Sequence, residues 1–278
     1  MHDVSIAIVY YAGINDEYFR ESLRGAFGQK DAGFEVHLYH EDKLPGFIDE
    51  YGQVVCHQIP KDICGKVAKV REHIVATART PFLAFWDADD VYYPDKLLRQ
   101  RRLTAESNLD ICFTNFSFLG DVPGPAQDFF SAIGFGKRDI SIFDENYVGL
   151  GTVLARTEFL RSLTPFPETD VLDWWIAAKT TLVRGKMFPV SQPCSAYRVY
   201  DRSLSRLFVN VHPEDFERER AVKANLYALL SKEYPEFGKR REYYQTLDVK
   251  KNINHFLEKY MKNRYKNAWG GLISYVEE

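Results

Sequence analysis

Cysteine is scarce and unpatterned. Cys56, Cys64, Cys112 and Cys194 form no C-x-x-C pair and no zinc-ligand spacing, which argues against a zinc module or a disulfide scaffold and leaves buried free thiols in a reducing compartment as the expectation. Long apolar runs are missing too. The first, Val4–Tyr11, is too short to cross a bilayer and has neither the basic flank nor the cleavage site of a leader. A strong charge of either sign is lacking: 36 Lys and Arg face 39 Asp and Glu, for a net charge of −3. No global basic field exists, so nucleic acid is not expected as a partner. A cytoplasmic location is expected, with the inner face of a membrane as the variant. No glycine-rich phosphate loop follows the first apolar run, where only Gly13 stands. Internal repeats and low-complexity tracts are absent.

What is present is an ordinary globular composition, 45% apolar and 27% charged over 278 residues, ample for a sizeable core. Its most informative stretch is Thr80-Pro81-Phe82-Leu83-Ala84-Phe85-Trp86-Asp87-Ala88-Asp89-Asp90. A strand-length apolar run, Phe82–Trp86, stops abruptly at three carboxylates. At the carboxyl end of a strand in an open α/β sheet, this is where ligands bind. Crowded acids repel one another unless a cation neutralises them, and hard oxygen ligands suit Mg²⁺ or Mn²⁺ with substrate phosphates in its shell. The plainer alternative is that Asp89 or Asp90 caps the next helix, with Pro94 as its first residue.

Strands and helices alternate along the first part of the chain. Val4–Tyr10, Phe34–Tyr39, Val54–Ile59, Phe82–Trp86 and Ile111–Phe118 read as strands. Phe19, Leu23, Ala26 and Phe27 mark one helix, introduced by the turn Gly13-Ile14-Asn15-Asp16, which offers a good N-cap. Val67, Val70, Ile74 and Ala78 mark a second, and Leu97, Leu98 and Ala105, ending near Asn108, a third. The pattern predicts an α/β, Rossmann-like, mainly parallel sheet flanked by helices. It breaks at the Gly- and Pro-rich stretch Gly120–Lys137, which reads as a binding loop or a variable insertion. A short strand at Val153–Ala155 precedes a helix from Thr157. A helix over Glu168–Arg184, stopped by Gly185, carries Asp173 beside Trp174 and Trp175. The helix N-terminus favours an ionised carboxylate and apolar rings disfavour it, a tension that suits a general base; spacing alone favours an ordinary first-turn acid. Short strands at Met187–Val190 and Ser195–Tyr200 lead to a polar loop with Arg202 and Arg206. Helices over Glu214–Lys232, Arg240–Leu247 and Val249–Tyr265 complete the chain as a solvated cap or, through Lys, Arg, Tyr and Trp269, a peripheral membrane or partner contact.

Together these stretches resemble the family 2 glycosyltransferases of the GT-A fold, from about Val4 to about Arg206. Tyr10-Tyr11 stands at the family's first-strand turn, His40-Glu41-Asp42 at its Asp-Asp-Gly-Ser element, and Val70-Arg71-Glu72 at its Ala-Arg-Asn. Asp87-Ala88-Asp89, followed by Pro94-Asp95-Lys96-Leu97, resembles the DxD element and the helix after it. Gly151–Arg156 resembles the segment before the acceptor helix, and Val171-Leu172-Asp173-Trp174-Trp175 the acceptor-side acid motif. Ala196–Ser205 resembles the Tyr-Arg-x-His-x-x-Ser loop, with Tyr200 in the position of the family's metal-binding histidine.

The resemblance implies a GT-A domain over residues 1–210, with a nucleotide-sugar half over about 1–118 and an acceptor half over about 140–210. A helical extension would cover 211–278. It implies an inverting, metal-dependent glycosyltransferase acting in polysaccharide or cell-surface glycan synthesis, with a nucleotide-sugar donor and a glycan or lipid-linked acceptor. Asp173 would be the catalytic base. Tyr10, Tyr11, Glu41, Asp42, Arg71, Asp87, Ala88, Asp89 and Arg202 would bind the donor. Asp89, with Asp201 or Tyr200, would hold Mn²⁺ or Mg²⁺. A non-catalytic nucleotide-sugar- or glycan-binding relative and a nucleotidyltransferase are the rival readings.

Overall fold

β1 (Val4–Tyr10) is the apolar strand that the sequence announces, with both faces covered. Asn15 then caps α1 (Asp16–Phe27): its Oδ1 accepts the amides of Glu17 (2.9 Å) and Tyr18 (3.3 Å), satisfying two otherwise orphaned donors. Phe19, Leu23 and Ala26 on α1 bury against Val4, Ile6 and Ile8. The computed structural model describes residues 2–11, 13–30, 33–41, 43–120, 128–133, 135–136, 140–199 and 213–262.

The chain continues through β2 (Phe34–His40), a single 3₁₀ turn at Gly46–Glu50, β3 (Val54–Gln58), α2 (Val67–Thr77) and β4 (Phe82–Trp86). β5 (Val91–Tyr92), α3 (Lys96–Ser107) and β6 (Ile111–Gly120) follow. Then come α4 (Phe129–Ile133), β7 (Leu154–Arg156), α5 (Thr157–Ser162), α6 (Leu172–Leu182) and β8 (Met187–Val199). The C-terminal elements are α7 (Pro213–Leu230), α8 (Gly238–Thr246) and α9 (Val249–Lys262). Among the described residues eight strands form one sheet in the order β3-β2-β1-β4-β7-β6-β8-β5. β3, β2, β1 and β4 are mutually parallel, as the βαβ alternation requires. The β4–β7, β6–β7 and β5–β8 ladders are antiparallel, giving a mixed Rossmann-like sheet.

The chain divides into two compact units. The first comprises Met1–Ser117, Val148–Glu168 and Thr180–Arg198; the second, Phe118–Tyr147, Thr169–Lys179 and Val199–Glu278. In the second unit α7 meets α8 through the Tyr227 and Tyr244 rings, 5.4 Å apart. On α9, Phe256 is buried and stacked on Phe216 at 5.9 Å. Trp269 lies outside the described residues. Among the described residues no helix is long and apolar enough to cross a membrane.

Several local expectations need correction. α3 does not begin at Pro94. It starts at Lys96, and neither Asp89 nor Asp90 caps it; the Leu97 amide is taken by Oε1 of Gln29, at the end of α1. Its buried face is Lys96, Leu97, Gln100 and Thr104, whereas Leu98 and Ala105 are exposed. Lys96 and Gln100 hold that face because their donors find partners: Lys96 Nζ donates to the Gly151 carbonyl, and Gln100 donates to the carbonyls of Cys112 (3.0 Å) and Thr152 (2.9 Å). At the end of α6 the left-handed residue is Arg184 (φ 59°), not Gly185. Gly185 is needed for space instead, since a Cβ there would lie 2.6 Å from the Phe159 ring. The two short strands expected after it are one, β8. All four cysteines are free; Cys112 and Cys194 are buried as expected, but Cys56 is exposed on the edge strand β3.

Truncating Ile6→Ala, fully buried at the centre of the parallel strands, should cost about 2–5 kcal/mol of stability. Leu98→Ala should stay within about 0.5 kcal/mol; denaturant unfolding of the two variants checks both values.

Candidate active site

Strand register decides which residues gather. Tyr10 pairs with His40 across β1 and β2, and Ile8 pairs with Trp86 across β1 and β4. Tyr11, Glu41 and Asp87 therefore leave three adjacent parallel strands at the same edge, the carboxyl edge. Tyr11 is exposed there, while Tyr10 turns into the core with its ring 4.8 Å from that of Phe19. Glu41 accepts the amide of Gly65 at 2.5 Å, tying the loop before α2 to the end of β2.

The acid turn after β4 is held from several directions. Arg71 on α2 places Nη2 3.5 Å from Oδ1 of Asp87, with its guanidinium 5.0 Å above the Phe85 ring. It is buried, and its Nη1 has no hydrogen-bond partner among the described residues. The Asp87 amide donates to the Tyr92 hydroxyl (2.5 Å), and Ser22 of α1 donates to the Asp87 carbonyl (2.9 Å). Ala88 is buried. Asp90 is buried as well, and its Oδ1 accepts the amide of Arg198 at 2.9 Å. The Asp89 carbonyl accepts Nε of Arg198 at 2.8 Å. Gly151 comes so close to Asp87 that a Cβ would lie 2.5 Å from Oδ2. Glycine is required there for space.

Burial raises the affinity of Asp87 for its proton, against the pull of Arg71 and with a push from Asp89. Burial also raises Asp90 well above the ordinary range, and the two neighbouring acids add to it. Beneath the turn lies Lys96, fully buried, with Nζ donating to the Gly151 carbonyl at 2.5 Å and standing 4.5 Å from the Tyr92 ring centre and 4.9 Å from that of Trp86. Burial pushes its ammonium down to about 7.

In the second unit Asp173 is the second residue of α6, half-buried, and accepts the amide of Trp174 at 2.7 Å. Trp174 is fixed behind it, its indole N–H donating to the Ile142 carbonyl at 2.5 Å. Asp42, Tyr200, Asp201, Arg202 and Arg206 lie outside the described residues.

The first unit thus brings together Tyr11, Glu41, Arg71, Asp87, Ala88 and Asp89. Sequence reasoning passed over Tyr92, Lys96, Gly151 and Arg198 as members of this site. Three of them sat inside the quoted motifs, but a helical lysine and a strand arginine read as surface residues unless burial is known.

No family model matches the sequence, and no curated protein matches it either. Solved structures do. Residues 1–349 of S. aureus TarS in complex with UDP-GlcNAc align with 93% of this chain and 76% of theirs, at TM-score 0.60 and 18% identity. The mannosyltransferase PcManGT from Pyrobaculum calidifontis, in complex with GDP-Man and Mn²⁺, aligns over 95% of this chain and 82% of its own, at TM-score 0.63 and 12% identity. The likeness establishes the fold as GT-A-like.

Lys96 gives the site a pH signature. Between about 7 and its ordinary 10.5 the unfolded chain holds a proton that the folded chain has lost, so stability rises with pH across that window. Lys96→Met should flatten the rise; unfolding midpoints at about pH 6 and about pH 9, compared with those of the parent protein, measure it.

Proposed function

We propose that this protein is an inverting, metal-dependent glycosyltransferase of the family 2 type, moving a sugar from a nucleoside-diphosphate donor to the hydroxyl of a glycan or lipid-linked acceptor. Polysaccharide or cell-surface glycan synthesis is the setting that this chemistry serves. One observation carries the reading. An acid turn at the carboxyl edge of the central parallel strands is braced by a buried arginine whose Nη1 has no hydrogen-bond partner among the described residues. A buried cationic donor left unsatisfied is costly unless a ligand completes it, and a phosphate or ribose oxygen is the kind of acceptor it fits. Tyr11 and Glu41 on the neighbouring strand ends would flank the nucleoside.

The donor set also fits a hard divalent cation. Among the described residues no three His, Cys, Asp or Glu side chains form an all-protein cage. One or two carboxylates completed by diphosphate and water is the usual arrangement for Mg²⁺ and related ions. Asp89, with Asp87 beside it, would hold the ion. Bound there, it would neutralise the charge that develops on the departing diphosphate. The complexes of PcManGT with GDP-Man and Mn²⁺ and of TarS with UDP-GlcNAc are compatible with such a site.

The residues of the chain supply the rest. Asp87 would orient the ribose while Arg71 holds its carboxylate. Asp173 would take the proton of the acceptor hydroxyl as that oxygen attacks the anomeric carbon opposite the leaving group, so configuration inverts. The Trp174 amide on its Oδ1 would keep the carboxylate in one orientation. Arg202 is proposed as a diphosphate contact, and Tyr200 and Asp201 as neighbours of the metal.

Asp173→Asn should leave donor binding intact and lower transfer by about 10²- to 10⁴-fold, the usual weight of a general base. Calorimetric donor titration alongside a single-turnover transfer assay separates the two; transfer at the parent rate would remove Asp173 from the mechanism.

A further inference from the structure

Arg198 has no part in the chemistry just described, yet its bonds converge on the acid turn. β8 runs antiparallel to β5, with Val91 opposite Ala196 and Tyr92 opposite Ser195. Arg198 therefore reaches the level of Asp89 and Asp90, the residues that precede β5. Its amide donates to Asp90 Oδ1 (2.9 Å), and its Nε donates to the Asp89 carbonyl (2.8 Å). Its Nη2 pairs with Oε2 of Glu21, and the guanidinium lies 3.9 Å above the Tyr18 ring, both on α1. The side chain is buried.

Each of these contacts restricts a different degree of freedom. The Nε bond fixes the Asp89 peptide, and with it the direction in which the Asp89 side chain leaves the backbone. The amide bond, made by the backbone, fixes the Asp90 side chain. Glu21 and Tyr18 hold the guanidinium plane from the opposite side, so the fork cannot rotate off the turn. A planar guanidinium can serve three such partners at once; an ammonium cannot. Its charge also offsets the mutual repulsion of three acids within four positions.

We propose that Arg198 is the positioning residue of the cation site: its guanidinium, held by Glu21, acts through the Asp89 peptide to aim the Asp89 carboxylate at a divalent ion. This rests on the transferase reading of the same turn. It goes beyond that reading by assigning metal affinity to a side chain that touches neither the metal nor the substrate.

The test measures Mn²⁺ affinity directly, by electron paramagnetic resonance titration of Mn²⁺ into the protein saturated with UDP or GDP. Nucleotide affinity in EDTA is measured in parallel. Arg198→Ala should weaken Mn²⁺ binding about 10- to 100-fold, the range for groups that orient a ligand without being one. Nucleotide binding in EDTA should change less than about twofold, well under one charge-assisted hydrogen bond. Arg198→Lys should recover only part of the loss. A merely structural residue would lower both affinities together, and that result overturns the proposal, as does Mn²⁺ binding at the parent value. Should Arg198→Ala fail to fold, Glu21→Gln frees one side of the guanidinium and should weaken Mn²⁺ binding in the same direction, with nucleotide binding in EDTA preserved; an unaltered Mn²⁺ affinity overturns the proposal equally. Absence of any Mn²⁺-dependent nucleotide binding in the parent protein would overturn the transferase reading, and this inference with it.

Discussion

Three acids at the end of a buried strand repel one another when ionised, and much of the first unit answers to that constraint. Two like charges about 4 Å apart repel by about 4 kcal/mol at the effective dielectric of a protein surface. Against a total stability of about 5–15 kcal/mol, an uncompensated acid turn would be a heavy burden. The fold meets it with Arg71 from α2 on Asp87, Arg198 from β8 on Asp89 and Asp90, and Lys96 beneath. Hydrogen bonds from the Ser22 hydroxyl to the Asp87 carbonyl and from the Asp87 amide to the Tyr92 hydroxyl fix the turn geometrically. What remains is an acid site on a rigid frame, not a flexible acidic loop, and preorganisation of that kind makes electrostatic stabilisation effective in a reaction.

The parallel half of the sheet was legible because its signals are local and redundant. β1 and β4 are apolar runs of strand length, and Asn15 is a cap in the right place. Glu41, Tyr11 and Asp87 were grouped by the family resemblance, and all three leave adjacent parallel strands at the carboxyl edge. The antiparallel remainder was less legible. β5 is two residues long, and β8 was read as two pieces because Pro193 and the polar residues around it look like a break.

The miss on α3 has a clear physical origin. A stripe of Leu97, Leu98 and Ala105 looks like a buried face, but of these only Leu97 is inward, beside Lys96, Gln100 and Thr104. Hydrophobic patterning assumes that polar groups pay heavily for burial; they do not where carbonyls and aromatic faces wait for them, as Gly151, Cys112, Thr152, Trp86 and Tyr92 do. The same blindness hid Arg71 and Arg198 as interior residues. Buried polar positions chosen against pattern mark places where local rules yield to function. Gly151 belongs with them, since only the absent Cβ lets Asp87 sit where it does.

The central claim, that the acid turn works on a nucleotide sugar, is tested most directly by incubating the protein with a panel of nucleoside-diphosphate sugars and an acceptor mixture, and measuring released nucleoside diphosphate with Mn²⁺ and with EDTA. Release from one donor class that depends on the acceptor and is abolished by EDTA is the predicted result. No release from any donor, or release undiminished by EDTA, would contradict it.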